Sequence, residues 1–321
     1  MLLKPRCHYS TLLCIVLFAL LAVCLDACSS PKDQEPAVRL GYLQNDLHHL
    51  PVFVALEKSF FKQAGIEVEV AGIFRAGPEE MSAFAAREID IGCVGQAPAT
   101  AAVLNGVADV KYVSQINLEG SSIVLRKETA DNKLSDLAGK TVAIPGHATM
   151  QDFLFRKAMQ KANVPMDKIK LIVLKPPEML QALSLGNIDA FIAWEPYPSQ
   201  AVQKGIGRVM VSSEQIWQNH PCCVLAAETG FCRKNPQKIN KIRAVLKRAS
   251  GFITKNRKEA VEIGIKYTGM DRNTVAAAIS QIKYHVAIDR KKALEFVDFL
   301  RDLRYIKFRK IEKPLSDLFY E

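Results

Sequence analysis

The chain is poor in the residues that would staple or span a structure. It has eight cysteines, but Cys7, Cys14, Cys24 and Cys28 crowd its start, leaving Cys93, Cys222, Cys223 and Cys232 for the rest. That remainder is too sparse and too irregular for a disulfide framework. Beyond residue 25 no apolar run approaches the ~20 residues that a membrane-crossing helix requires. No low-complexity tract occurs, which excludes a fibrous or disordered class. Neither a Ser-His-Asp nor a Cys-His set stands at readable spacing, so nothing marks nucleophilic catalysis. The net charge is +10, yet no nucleic-acid-binding motif accompanies it, and no nucleic-acid partner is expected. The basic residues concentrate in Arg233–Arg257 and Arg290–Lys310, where they alternate with apolar residues at helical spacing. That pattern is the solvated face of helices.

The start of the chain is a leader. Lys4 and Arg6 precede an apolar run from Thr11 to Leu25, too short to span a bilayer comfortably but suited to the core of a signal peptide. The run ends in Leu25-Asp26-Ala27-Cys28, which resembles a bacterial lipobox, with Asp26 departing from the small or apolar residue usual there. The resemblance implies that Cys28 carries a lipid anchor after residues 1–27 are removed. Residues 28–37, polar and with two prolines, form a tether. Loss of the leader lowers the net charge to +9. The protein is thus expected outside the cell membrane, exported and held to it by lipid.

One unit occurs twice, 99 residues apart. Pro78-Glu79 repeats as Pro177-Glu178, and Ile89-Asp90 as Ile188-Asp189. His48 and His147 share the offset, each after a strand-like run (Val38–Leu43, Thr141–Pro145) and before a helix-like one (Pro51–Ala64, Gln151–Ala162). Second strands are expected at Glu67–Gly72 and Lys170–Leu174. Strands alternating with helices predict parallel sheets covered on both faces. Two copies predict two similar lobes. The chain after Val224 is helical by periodicity and is expected to return to the first lobe. The domain reading is therefore residues 38–118 plus 225–321 for lobe 1 and 119–224 for lobe 2. A two-crossing hinge lies near Gln115–Val124 and Val211–Leu225.

In open α/β sheets a ligand lies beyond the carboxyl ends of the strands, where helices present free N–H groups. The candidate binding residues follow from that rule: Tyr42 closing the first strand, His48 and His49 after it, Gln96 after the third, and His147 and Thr149 in the second copy. Trp194-Glu195-Pro196-Tyr197 ends an apolar strand; an aromatic pair there suits stacking on a planar or apolar part of a ligand, and Glu195 can accept hydrogen bonds. Gly120, Ser121 and His220 fall at the predicted crossings. Cys93 reads as a small buried residue; the vicinal Cys222 and Cys223 admit a reactive, a metal-binding or a merely buried role, with burial the default. His48, His49 and His147 with a carboxylate have no spacing of a recognised metal site, so no metal and no cofactor is expected.

Leu40-Gly41-Tyr42, Ala55-Leu56-Glu57-Lys58, Gly65-Ile66-Glu67-Val68, Asp136-Leu137-Ala138-Gly139-Lys140 and Ala193-Trp194-Glu195-Pro196 together resemble the nitrate/sulfonate/taurine family of ABC transporter substrate-binding proteins. The resemblance covers nearly all of the chain after the leader. It implies an α/β, type II periplasmic-binding-protein fold and a monomer without catalysis. Such a protein hands a small anionic or zwitterionic solute to an ABC permease and ATPase. Relatives also take thiamine-pyrimidine precursors or riboflavin, and a pyrimidine-synthase-like enzyme with a His/Cys metal site shares the fold. Those are the alternatives.

Overall fold

The computed structural model of the chain describes residues 36–130, 133–306 and 315–321. The expected signal peptide, Cys28 and most of the tether lie outside them. Val38–Glu321 forms one compact unit.

In chain order the first half runs β1 (Val38–Leu43), a 3₁₀ turn Leu47–His49, α1 (Leu50–Glu57), α2 (Phe60–Gln63), β2 (Val68–Phe74), α3 (Gly77–Ala85), β3 (Ile91–Gly95), α4 (Gln96–Leu104) and β4 (Val110–Gln115). Then follow β5 (Asn117–Glu119), β6 (Ser121–Arg126), β7 (Thr141–Ile144), α5 (Met150–Lys161), β8 (Lys170–Val173), α6 (Pro176–Ser184), β9 (Ala190–Trp194), α7 (Tyr197–Gln203), β10 (Gly207–Ser212) and α8 (Ser213–Ile216). The last part is β11 (Cys223–Glu228), α9 (Thr229–Lys234), α10 (Pro236–Lys255), α11 (Arg257–Thr268), α12 (Arg272–Ser280), β12 (Ile282–Tyr284) and α13 (Arg290–Asp302). Proline stands in the first turn of α1, α3, α6, α7 and α10, where its missing N–H has no helical partner to lose.

Two five-stranded sheets result, β2-β1-β3-β11-β4 and β8-β7-β9-β6-β10. Their orders match strand for strand. In each, the fourth strand is antiparallel to its neighbours: β11 against β3 and β4, and β6 against β9 and β10. Each of those strands is the one the chain enters after crossing from the other sheet, so the two crossings are built alike. β3 and β9 are buried along their whole length, as strands covered by helices on both faces must be.

The repeat is real but its offset is not uniform. In the first copy the Asp90 carboxylate accepts the Arg39 N–H at 2.9 Å while the Asp90 N–H donates to the Arg39 carbonyl at 2.8 Å. Asp189 does the same with Thr141, at 2.8 and 2.9 Å. Both helices that open on Pro-Glu start and end 99 residues apart. Arg39 and Thr141, however, are 102 apart, so the second copy is three residues shorter between its first strand and its Pro-Glu helix. The shared offset of His48 and His147 is therefore a coincidence, and the two rings occupy different environments. The helix expected over Pro51–Ala64 is also two pieces, broken where Ser59 takes a left-handed backbone at φ 54°.

The C-terminal helices do more than cover the first sheet. α10 lays the stripe Ile239, Ile242, Val245, Leu246, Ala249 and Ile253 inward and, with α11, packs on α1. But α12 packs on α7, and α13 brings Phe296 and Phe299 to within 4.7 and 4.3 Å of the Phe153 ring on α5. Meanwhile β12 pairs with β5 in the hinge. The tail thus grips both sheets. Among the described residues no helix is long and apolar enough to cross a membrane.

Candidate functional site

A pocket lies where the carboxyl ends of the strands of both sheets meet. Its walls come from Leu43, Asp46 and His48 after β1, Gly77 at the start of α3, Gly95 and Pro98 around the start of α4, Thr149, Met150 and Gln151 at the start of α5, Trp194 ending β9, and Cys222 and Cys223 entering β11. In this arrangement the cavity is small, about 20 Å³, room for about one water molecule. No Lys or Arg is among these residues. Three helices of nine, nine and twelve residues begin at the wall. Their first N–H groups have no intrahelical acceptor and carry the positive end of the helix dipole. Gly77 is required at its place, because a Cβ there would sit 2.6 Å from Cγ of Pro98. Thr149 caps α5, its hydroxyl accepting from the Asp152 N–H at 3.2 Å.

One side of the pocket is a dense polar knot. His48 is fully buried. Its Nε2 meets the Gly120 carbonyl at 2.7 Å, and its Nδ1 faces the sulfurs of Cys222 and Cys223 at 3.5 and 3.6 Å. Those sulfurs are 3.9 Å apart. Asp46 caps the 3₁₀ turn by accepting the His48 N–H at 2.8 Å, and its carboxylate lies 3.6 Å from a ring nitrogen of both His48 and His49. Burial pushes Asp46 up to about 7. Burial alone would drive His48 down, but the charges of Cys222 and Asp46 outweigh it and lift the ring to about 9. The Cys223 hydrogen bond and the His48 charge hold the Cys222 thiol low, whereas burial keeps Cys223 high. His49 is driven down by burial, and the charge of His48 adds to the effect.

The knot is not a catalytic relay. In such a relay a carboxylate holds the far nitrogen of the imidazole and the nucleophile the near one. Here the far nitrogen is spent on a backbone carbonyl, and both thiols and Asp46 crowd the same Nδ1.

Comparison with known proteins fits this geometry. Residues 31–265 match the model of the NMT1-like family. The chain belongs to the NMT1-like family. A Bacillus subtilis protein named as an aliphatic sulfonates-binding protein is 27% identical over 266 residues, 81% of this chain and 78% of its own. Two solved structures share the fold. The alkanesulfonate-binding protein of Xanthomonas axonopodis pv. citri, bound to MOPS, aligns with a TM-score of 0.77 at 18% identity, over 89% of this chain and 99% of that one. The periplasmic nitrate-binding protein of Synechocystis aligns at 0.75 with 16% identity, over 84% and 82%. The fold is the two-lobed periplasmic-binding-protein fold.

Of the residues singled out from sequence, this NMT1-like chain brings His48, Thr149 and Trp194 to the pocket wall. Gly120 and Ser121 stand just behind it. The Gly120 carbonyl receives both the His48 ring and the Glu195 N–H, the latter at 2.8 Å, and Ser121 accepts from the Gln151 amide at 3.0 Å. His49 is buried one layer out, its Nδ1 accepting the Leu43 N–H at 3.3 Å. Glu195 is buried with its carboxylate turned to the Ser199 N–H at 3.2 Å, and burial lifts it to about 7. Tyr197 meets the Trp194 ring edge-on at 6.1 Å. Gln96 is buried and gives its N–H to the Cys222 carbonyl at 2.8 Å.

Three expectations are corrected. Tyr42 packs into the core against Phe53 and Tyr267, because alternation along β1 sends it to the face opposite Leu43. His147 is 57% exposed and bonds the Tyr305 hydroxyl; at the strand offset of 102 it corresponds to Asn45 and not to His48. His220 stacks on Trp217 with ring centroids 5.8 Å apart and is off the wall. Sequence reasoning missed Asp46, and for Cys222 and Cys223 it took burial as the default over a reactive or metal-binding role. The Asp-x-His-His turn after a strand and the paired cysteines at a crossing were the available signals.

Proposed function

We propose that this chain is the substrate-binding lipoprotein of an ABC-type importer, taking a small anionic or zwitterionic solute in the cleft between its lobes. The observation that carries this reading is the convergence of three helix N-termini from both sheets on a pocket free of Lys and Arg. Backbone N–H groups and dipole ends favour a compact oxyanion such as a sulfonate or nitrate without a formal cation. Trp194 supplies an apolar wall for the rest of the molecule. A solute touching α3 and α4 on one side and α5 and Trp194 on the other favours the closed arrangement over an open one, because only closure lets it meet both walls. The names of the relatives point to the same solute class. Nothing in the pocket asks for turnover, so the chain is read as a receptor and not an enzyme. Export, the lipid on Cys28, a monomeric state and lobes at 38–118 plus 225–321 and 119–224 complete the proposal.

The test is a thermal-shift and calorimetric screen against aliphatic sulfonates, taurine and nitrate. A true solute at one hundred times its Kd adds about 2.7 kcal/mol to stability, and Trp194→Ala lowers the affinity while leaving the melting cooperative. Absence of any shift across the three classes, or equal affinity in Trp194→Ala, overturns the reading.

A further inference from the structure

We propose that His48, Cys222 and Cys223 form a binding site for one thiophilic cation of the zinc type, with its remaining coordination position turned to the cleft. The site goes beyond the solute reading and stands whether or not that reading holds. The three donor atoms lie mutually within 4.8 Å, and their separations are diagnostic. Zinc bonds of about 2.3 Å to sulfur and about 2.0–2.1 Å to nitrogen, set at tetrahedral angles, place two sulfurs about 3.8 Å apart and sulfur and nitrogen about 3.6 Å apart. The sulfurs here are 3.9 Å apart, and Nδ1 stands 3.5 and 3.6 Å from them. Three edges of a coordination tetrahedron are thus already in place.

Two independent features point the same way. A metal-ligating imidazole nearly always gives its other N–H to a carbonyl or carboxylate, which fixes the tautomer. His48 gives Nε2–H to the Gly120 carbonyl at 2.7 Å, so Nδ1 is the nitrogen that can take a metal once its proton is released. Adjacent residues in an extended strand point to opposite faces. Cys222 stands just before β11 and Cys223 begins it, and that break lets both sulfurs reach one point. Filling volume alone would not need such convergence. All three residues are buried, yet all three border the pocket, so a cation has a route in and a face left open. Binding a divalent ion forms two metal–sulfur bonds and one metal–nitrogen bond. It releases two protons from the Cys222–His48–Cys223 group to solvent, and no electron moves.

The experiment is titration of the whole purified protein, reduced and stripped by chelator, with Co²⁺ and then Zn²⁺. One equivalent of Co²⁺ should bring up sulfur-to-cobalt charge-transfer absorption and the strong ligand-field bands of four-coordination, and Zn²⁺ should abolish both. Loss of an outer-shell partner costs about 10–100-fold in metal affinity, so Cys222→Ser and Cys223→Ser should each lose more than about 100-fold, with Cys232→Ser unchanged. Should a serine variant fail to fold, X-ray absorption on the zinc-loaded native protein decides. A shell containing two sulfurs supports the site and one of oxygen and nitrogen alone overturns it. Absence of thiolate bands, or bands that survive in the Cys222→Ser Cys223→Ser double variant, also overturns it. Sulfonate binding measured on the stripped protein reports on the solute reading separately, so either can fall without the other.

Discussion

At the scale of the residue, Gly120 shows how closely the hinge and the pocket are joined. Its φ is +85°, and a Cβ there would collide with Nε2 of His48. Gly139 has a similar φ of +79° with nothing within 4 Å of a Cβ. Alanine at Gly139 should therefore cost only the left-handed backbone, about 1 kcal/mol. Alanine at Gly120 pays that cost and must also move a buried imidazole, so urea unfolding should show it to be clearly the more damaging. Equal losses would mean that the His48–Gly120 contact is not held. The partners of His48 illustrate what a linear reading misses. Cys222 lies 174 residues further on, and periodicity says only that each is buried. Trp194 was legible, because an aromatic at the end of an apolar strand has one place to go in an open sheet.

Among the elements, α13 has the most unexpected role. Its apolar spacing identified a helix and an inward stripe, but not the partner. Phe153 of α5 is wedged between Phe296, Phe299 and Trp217, the last at 5.3 Å. Below the wedge the Tyr305 hydroxyl donates to Asp152 at 2.8 Å. Because α5 also presents its N-terminus to the pocket, the wedge supports the site from behind. Phe153→Ala should cost about 3–5 kcal/mol and Tyr305→Phe about 1 kcal/mol, both read from denaturant melts. A loss below 1 kcal/mol for Phe153→Ala would show that the clamp does not bear on stability. Strands β1, β7 and β8 were readable to within a residue or two because each is a bounded apolar run. The break at Ser59 was not, because a left-handed serine leaves no mark in an apolar pattern.

For the molecule as a whole, stability should depend on pH through Glu80. This side chain is fully buried on α3, and neither carboxylate oxygen has a partner. Burial raises its pKa well above the ordinary value, so the folded state keeps a proton that the unfolded chain has lost. Stability is then greatest below the ordinary carboxylate range and falls as pH rises toward the raised value, by up to about 1.4 kcal/mol per pH unit. Glu80→Gln should reduce that slope, as measured by urea midpoints across the range, and leave the part owed to Asp46 and Glu195, both raised to about 7. An unchanged slope would assign the dependence elsewhere.

The sequence by itself determined the class. Strand–helix alternation in two copies admits two α/β lobes and little else, since each unit must cover both faces of its strands; the antiparallel fourth strand of each sheet left no such mark. It also determined which ends of the strands matter, because helix dipoles and free N–H groups gather there in any such sheet. Only the tertiary structure decided which residues meet. A three-residue difference in spacing between the two copies separates His48 from His147, and alternation along β1 turns Tyr42 into the core. The crossing at Pro221–Cys223 brings two sulfurs to one nitrogen. Those outcomes depend on register and on contacts between residues far apart in the chain, which local pattern does not record.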